Sequence, residues 1–191
     1  MMNATQAVLP AYERSPLSNT QITLPRPLTA SEAYSLGITI GKHIREIYAN
    51  ISRNCGESLV TDVIDGCISR KQVETNILKE RFNYALNCEI DRFYQSGGTL
   101  IEPDQTQKEI ANKDIIINRN LNSFASILEN YYDYSQTIND INSFSSLYDA
   151  VCKNSTELYK RLAKFYTHDN ISRAFEDMAN IVAEEAYKVN I

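Results

Sequence analysis

From Asp104 to Ile191 the chain contains neither proline nor glycine. Both residues break helices, proline by removing a backbone donor and clashing with the preceding turn, glycine by its backbone entropy. A stretch this long without either, with apolar residues recurring at threes and fours, has the α-helix as its sensible solution. The most regular part is Ile141, Phe144, Tyr148, Val151, Ser155, Leu158, Leu162, Phe165, alternating in steps of 3 and 4 as an a/d seam does. Upstream, Pro103 and Asp104 suit the first turn of a helix carrying Ile110, Ile117, Leu121, Phe124, Leu128 and Tyr131. A polar interval at residues 135–139 predicts a turn or a kink. A last helix is expected after Thr167-His168-Asp169-Asn170, with Asp169 as its cap and Ile171, Phe175, Met178 and Val182 inward. Such helices are about 40 Å long, so residues 99–191 should form a long antiparallel hairpin plus a third helix.

The first half has more punctuation. Thr29-Ala30-Ser31-Glu32 is a capping box that opens a helix over 30–53, with Ala33, Leu36, Ile40, Ile44, Ile47 and Ile51 on one face and a stop near Cys55-Gly56. A short helix over 58–66 should bury Val60, Val63 and Ile64 and end at Gly66. Ser69-Arg70-Lys71-Gln72 reads as another capping box, opening a helix through Val73, Ile77, Phe82, Leu86, Ile90 and Phe93 that Gly97-Gly98 terminates. Four of the five prolines lie in the first 27 residues among Ser, Thr, Asn and Gln, the composition of an extended or disordered arm over 1–28. The expected fold is all-α: an elongated helical bundle of five main helices plus one short helix, with an extended N-terminal arm. Its parts are the arm at 1–28, a helical subdomain at 29–98 and the long-helix unit at 99–191.

Gly37 and Gly41 sit inside the first helix, where each costs about 1 kcal/mol relative to alanine. With Ala33 they stand four apart beside the Leu36, Ile40, Ile44 stripe and make a flat groove that another helix can approach closely. The occupant is either another helix of this chain or a second copy.

A net charge of -5 and a sequence pI near 5.1 argue against nucleic acid, which requires clustered Lys and Arg, and against bare adhesion to anionic membranes. No apolar run approaches the roughly 18 residues of a transmembrane segment, and no Sec-type leader opens the chain. A cytoplasmic protein is the expectation, a non-cleaved secretion signal in the arm the alternative. Cys55, Cys67, Cys88 and Cys152 contain no Cys-x-x-Cys pair and read as free thiols.

The sequence lacks the motifs of known catalytic and metal sites. Two histidines, His43 and His168, provide no Glu-x-x-His pair for a di-iron bundle. Asp62, Asp65 and Gly66 lack the alternating oxygens of a calcium loop. The glycines at 37 and 41 lack the spacing of a phosphate loop. Glu176, Asp177, Glu184 and Glu185 read as a solvated acidic face. No catalytic residue, cofactor or metal is therefore expected. Twelve tyrosines are a surplus, and Tyr132, Tyr134 and Tyr159 are the ones expected to contact another chain.

Two stretches resemble known families. "YSLGITIGK", followed by "DVIDG" and a long helix to Phe93, resembles the N-terminal dimerisation segment of Mip-type FKBP prolyl isomerases over about 34–95. The resemblance implies intertwined dimerisation; no FKBP catalytic β-domain follows, so it does not imply isomerase activity. "LYKRLAKFYTHDNISRAFEDMANIVAEEA" resembles the rhythm of the first helices of sorting-nexin-type BAR domains, which implies a curved membrane-binding surface.

The function expected from these features is that of a non-enzymatic protein-protein interaction module: an adaptor, regulator, effector or accessory assembly component. It would act through helix surfaces, Gly37 and Gly41 among them, and through the arm, on another protein or on a second copy of itself. The alternatives are a carboxylate-rich bundle holding a metal or small ligand with some of Glu129, Asp133, Glu157 and Glu184, and a helical membrane-surface protein.

Overall fold

A computed structural model describes residues 22–56, 58–97, 107–166 and 169–187. All the regular structure among them is helical: α1 (Ala30–Asn54), α2 (Ser58–Gln95), α3 (Gln107–Ser135), α4 (Ile141–Phe165) and α5 (Asp169–Tyr187). The expected all-α class holds, with one correction. The short helix at 58–66 and the helix after it are a single 38-residue helix. Gly66 passes through without a break, and a Cβ there would meet only open space, so the glycine costs helix propensity alone. Ser69, expected as a cap, donates its hydroxyl to the Asp65 carbonyl one turn back, a bond made inside a helix and not at its start.

The inward face of α2 also differs from expectation. Val60, Ile64, Cys67, Lys71, Glu74, Leu78 and Ala85 are buried. The first six are spaced 4, 3, 4, 3, 4, so a heptad seam runs through a Lys and a Glu. Val63, Val73, Leu86, Ile90 and Phe93, expected to be inward, are exposed.

α1 and α2 lie antiparallel. Their register is marked by Ser31 against Glu89, Gly37 against Leu78, Gly41 against Thr75, Arg45 against Gln72 and Ser52 against Asp65. Because α2 is the longer helix, its last turn runs past the start of α1. The capping box at α1 works in modified form: Glu32 N–H donates to Thr29 Oγ1 at 3.2 Å, while the Glu32 carboxylate takes the N–H of Leu28 at 2.6 Å. At the turn expected at 135–139, Asp140 caps α4 by accepting from the N–H groups of Asn142 and Ser143.

α5 folds back on α4, with the Tyr166 and Phe175 rings 5.4 Å apart and the Ser172 hydroxyl donating to the Ala163 carbonyl. It also lies against α1 and α2, where Asp177 accepts from Tyr34 and pairs with Arg81. α3 is joined to α4 by the bond from Asn154 to Tyr131, and to α1 by the bond from Asn50 to Ser135. At the centre Tyr48 meets Phe144 edge-on at 5.6 Å and stacks on Tyr148 at 6.0 Å.

The arm is extended where it is described, as expected, and it is also packed: across residues 22–27, Ile22, Leu24 and Pro27 are buried while Thr23 and Pro25 face out. Residues 1–21, Gly98, Pro103 and His168 lie outside the described residues, as does the side chain of Asp169.

Candidate functional site

The glycine face of α1 is occupied from within the chain. A methyl group on Gly37 would collide with Met178 Sδ of α5 and sit 3.2 Å from Leu78 Cδ1 of α2; one on Gly41 would sit 3.3 Å from Thr75 Oγ1. The close approach is therefore supplied by α2 and α5. Tyr132 and Tyr159 are buried inside the chain, at 4% and 1% exposure, and have no surface to offer a partner. Tyr134 remains outside, 47% exposed at the end of α3.

The interior contains an unusual polar seam. Lys71 Nζ and Glu74 Oε2 are 2.5 Å apart with both side chains almost fully buried. Thr75 beside them donates its hydroxyl to the Lys71 carbonyl. Facing them are Tyr48 of α1 and Tyr148, Cys152 and Tyr159 of α4, with Ser155 of α4 buried as well. The Tyr48 hydroxyl and the Ser155 hydroxyl are buried with no hydrogen-bond partner among the described residues. Burial pushes the Cys67 thiol up to about 11 and raises Cys152 and the phenols of Tyr48, Tyr148 and Tyr159 as well. A thiol kept protonated is a poor nucleophile and a poor metal ligand, so the seam is built as packing. Sequence reasoning missed it because an apolar template skips Lys71 and Glu74; the step pattern from Val60 to Leu78 was the available signal.

The carboxylates of the metal-binding alternative are not gathered. Glu129 accepts the N–H of Ile22, Glu157 pairs with Arg161 one turn on, and Asp133 and Glu184 face outward. Among the described residues no three of His, Cys, Asp and Glu are grouped to hold a metal ion. His43 Nδ1 lies 3.5 Å from Glu46. Asp62 and Asp65 belong to the unbroken α2, and Asp65 accepts from Ser52. Of the acidic face, Asp177 is engaged by Tyr34 and Arg81, while Glu176 and Glu184 are exposed; the Glu185 side chain is outside the described residues.

The surface feature that stands out is the end of α2. Leu86, Ile90 and Phe93 repeat at steps of 4 and 3 and are 36%, 44% and 41% exposed, Tyr94 is 79% exposed, and Leu28 before α1 is 61% exposed. The neighbouring polar side chains on α2 are held in place. Glu89 takes the N–H and hydroxyl of Ser31 at 2.9 and 2.5 Å, and Arg92 donates to the Asn170 side-chain oxygen in the amide orientation that satisfies both. Phe93 and Tyr94 meet edge-on at 5.9 Å. The result is a ridge of large apolar side chains on a helix fixed by its neighbours, a pattern that marks contact surfaces more often than chance exposure.

No family model, no curated protein and no solved structure matches the chain. Among the described residues no helix is long and apolar enough to cross a membrane.

Proposed function

We propose that the protein is a non-enzymatic helical interaction module that binds another protein through the exposed end of α2. The observation that carries this reading is the ridge of Leu86, Ile90, Phe93 and Tyr94. A partner helix laid along it would bury apolar surface worth about 25 cal/mol per Å², and aromatic side chains such as Phe93 and Tyr94 are typical anchors of such contacts. Glu89 and Arg92 fix the helix that presents the ridge, so little ordering remains to oppose binding. Tyr134, on the far end of α3, is a separate and smaller candidate contact.

The test is a photoreactive residue in place of Tyr94, used in the cell that makes the protein. The expected result is a discrete cross-linked species that disappears when Ile90 and Phe93 are both changed to Glu. Cross-linking that is absent, or that survives both substitutions, would remove the proposal.

A further inference from the structure

Residues 22–27 are held like a bound peptide. Burial alternates along them as in a strand, with Ile22 and Leu24 inward and Thr23 and Pro25 outward, before Pro27 turns in. Side chains supply the polar contacts. Glu129 of α3 accepts the Ile22 N–H at 2.9 Å, the Tyr166 hydroxyl at the end of α4 donates to the Pro27 carbonyl at 2.7 Å, and Arg26 pairs with Asp114 of α3 at 2.7 Å. Two of these contacts read backbone and one reads a charge. Pro25 and Pro27 restrict the segment to extended conformations, so its ordering costs little.

Among the described residues the segment is continuous with the helices through Leu28, which is exposed, and Thr29, the extended cap of α1. A swing at that point empties the groove and leaves every helix in place. We propose that this groove is an exchangeable peptide site, and that its occupant in trans is residues 22–27 of a second copy of the chain. The ligand that fits the groove is already known, and a second copy carries it. Reciprocal exchange satisfies both grooves and closes the assembly at two chains. The tethered segment competes at an effective concentration in the millimolar range, so the unaltered chain at micromolar concentration stays closed on itself. This inference is independent of the α2 ridge, and neither depends on the other.

The Arg26–Asp114 pair provides the test in full-length chains. Arg26→Asp places two carboxylates together within one chain, and Asp114→Arg places two guanidinium groups together. When the two variants are mixed, exchange sets the introduced aspartate of one chain against the introduced arginine of the other in one groove. In the other groove it restores the native pairing of Arg26 with Asp114. Native mass spectrometry of the equimolar mixture should show a heterodimer enriched over either homodimer by up to about fivefold for each restored pair, and lost at high salt. An acetylated peptide of residues 22–28 should also bind saturably to the Arg26→Asp chain, and more weakly when Glu129→Leu is added. A mixture no more dimeric than its components, with circular dichroism showing both folded, would overturn the proposal. So would a heterodimer that persists when Ile22 and Leu24 are changed to Asp, because the contact would then lie elsewhere.

Discussion

α2 is one helix in two environments. From Val60 to Leu78 its seam, Lys71 and Glu74 included, is closed by α1, α4 and α5; from Leu86 to Tyr94 a row of large apolar side chains stands open. The two parts share helix type, length of side chains and spacing. What differs is face and cover: Leu86 and Phe93 each stand one position beyond Ala85 and Arg92, where the heptad of the buried seam continues from Leu78, and α1 begins at Ala30, near Glu89, so its cover ends while the helix continues. Apolar period is therefore a statement about a face, and whether the face is core depends on which side its partners take as well as on where they stop.

The largest effects should fall in the closed part. Lys71→Met or Glu74→Leu alone leaves a buried charge without its partner and should cost about 3–5 kcal/mol, while the double substitution recovers much of the loss. Urea denaturation of the three variants checks this, and single variants as stable as the native chain would show that the pair is not buried. Leu78→Ala should cost about 2–5 kcal/mol, against within about 0.5 kcal/mol for Ile90→Ala at the open end. Equal losses at the two sites would erase the contrast between the two parts.

Next come the glycines. Gly37→Ala gains about 1 kcal/mol of helix propensity but forces Met178 and Leu78 to move, an overpacking cost of about 1–3 kcal/mol. Gly41→Ala meets only the Thr75 hydroxyl at 3.3 Å and should lie closer to neutral. Thermal midpoints that rank Gly41→Ala below Gly37→Ala would reverse the account of which glycine the packing requires.

The smallest contrast is in titration. Cys67, with an ordinary value of 9.0, is raised to about 11 in the fold. Its proton is retained longer folded than unfolded, so its stabilisation is complete below pH 9 and is lost as pH rises toward 11. Cys152 is raised from the same ordinary value and adds to the loss above pH 9, and the buried phenols, ordinarily near 10.0, act in the same direction above that. Urea midpoints should fall steadily above pH 9, and iodoacetamide should label half-buried Cys88 before buried Cys67. A flat profile to pH 11 would contradict the closed environment of the seam.

Much of this fold was legible in the residues. The seam of α4 from Phe144 to Leu162 and the stripe of α1 from Ala33 to Ile51 are buried as their spacing predicts, because both helices are flanked along their length. Gly66 and Ser69 misled: in isolation they resemble a stop and a start, and a cooperative helix with a continuous buried face overrides both. Lys71 and Glu74 were hidden by their charge, since the pair is tolerable inside only because each neutralises the other. The packed segment at 22–27 was hidden by its prolines, although Ile22 and Leu24 alternate as strand residues do. Tyr132 and Tyr159 show that a tyrosine's polar tip does not settle its location: Tyr159 is ring-stacked on Phe175 in the core.

The central claim is that the end of α2 is free for a partner and not needed by the fold. The Ile90→Glu, Phe93→Glu double variant tests both halves in one preparation, with thermal midpoint and cross-linking from position 94 measured together. The account predicts a midpoint within about 2 °C of the native chain, equivalent to under 1 kcal/mol at this size, and loss of the cross-linked species. A midpoint lowered by about 8 °C or more, or cross-linking that continues unchanged, would contradict it.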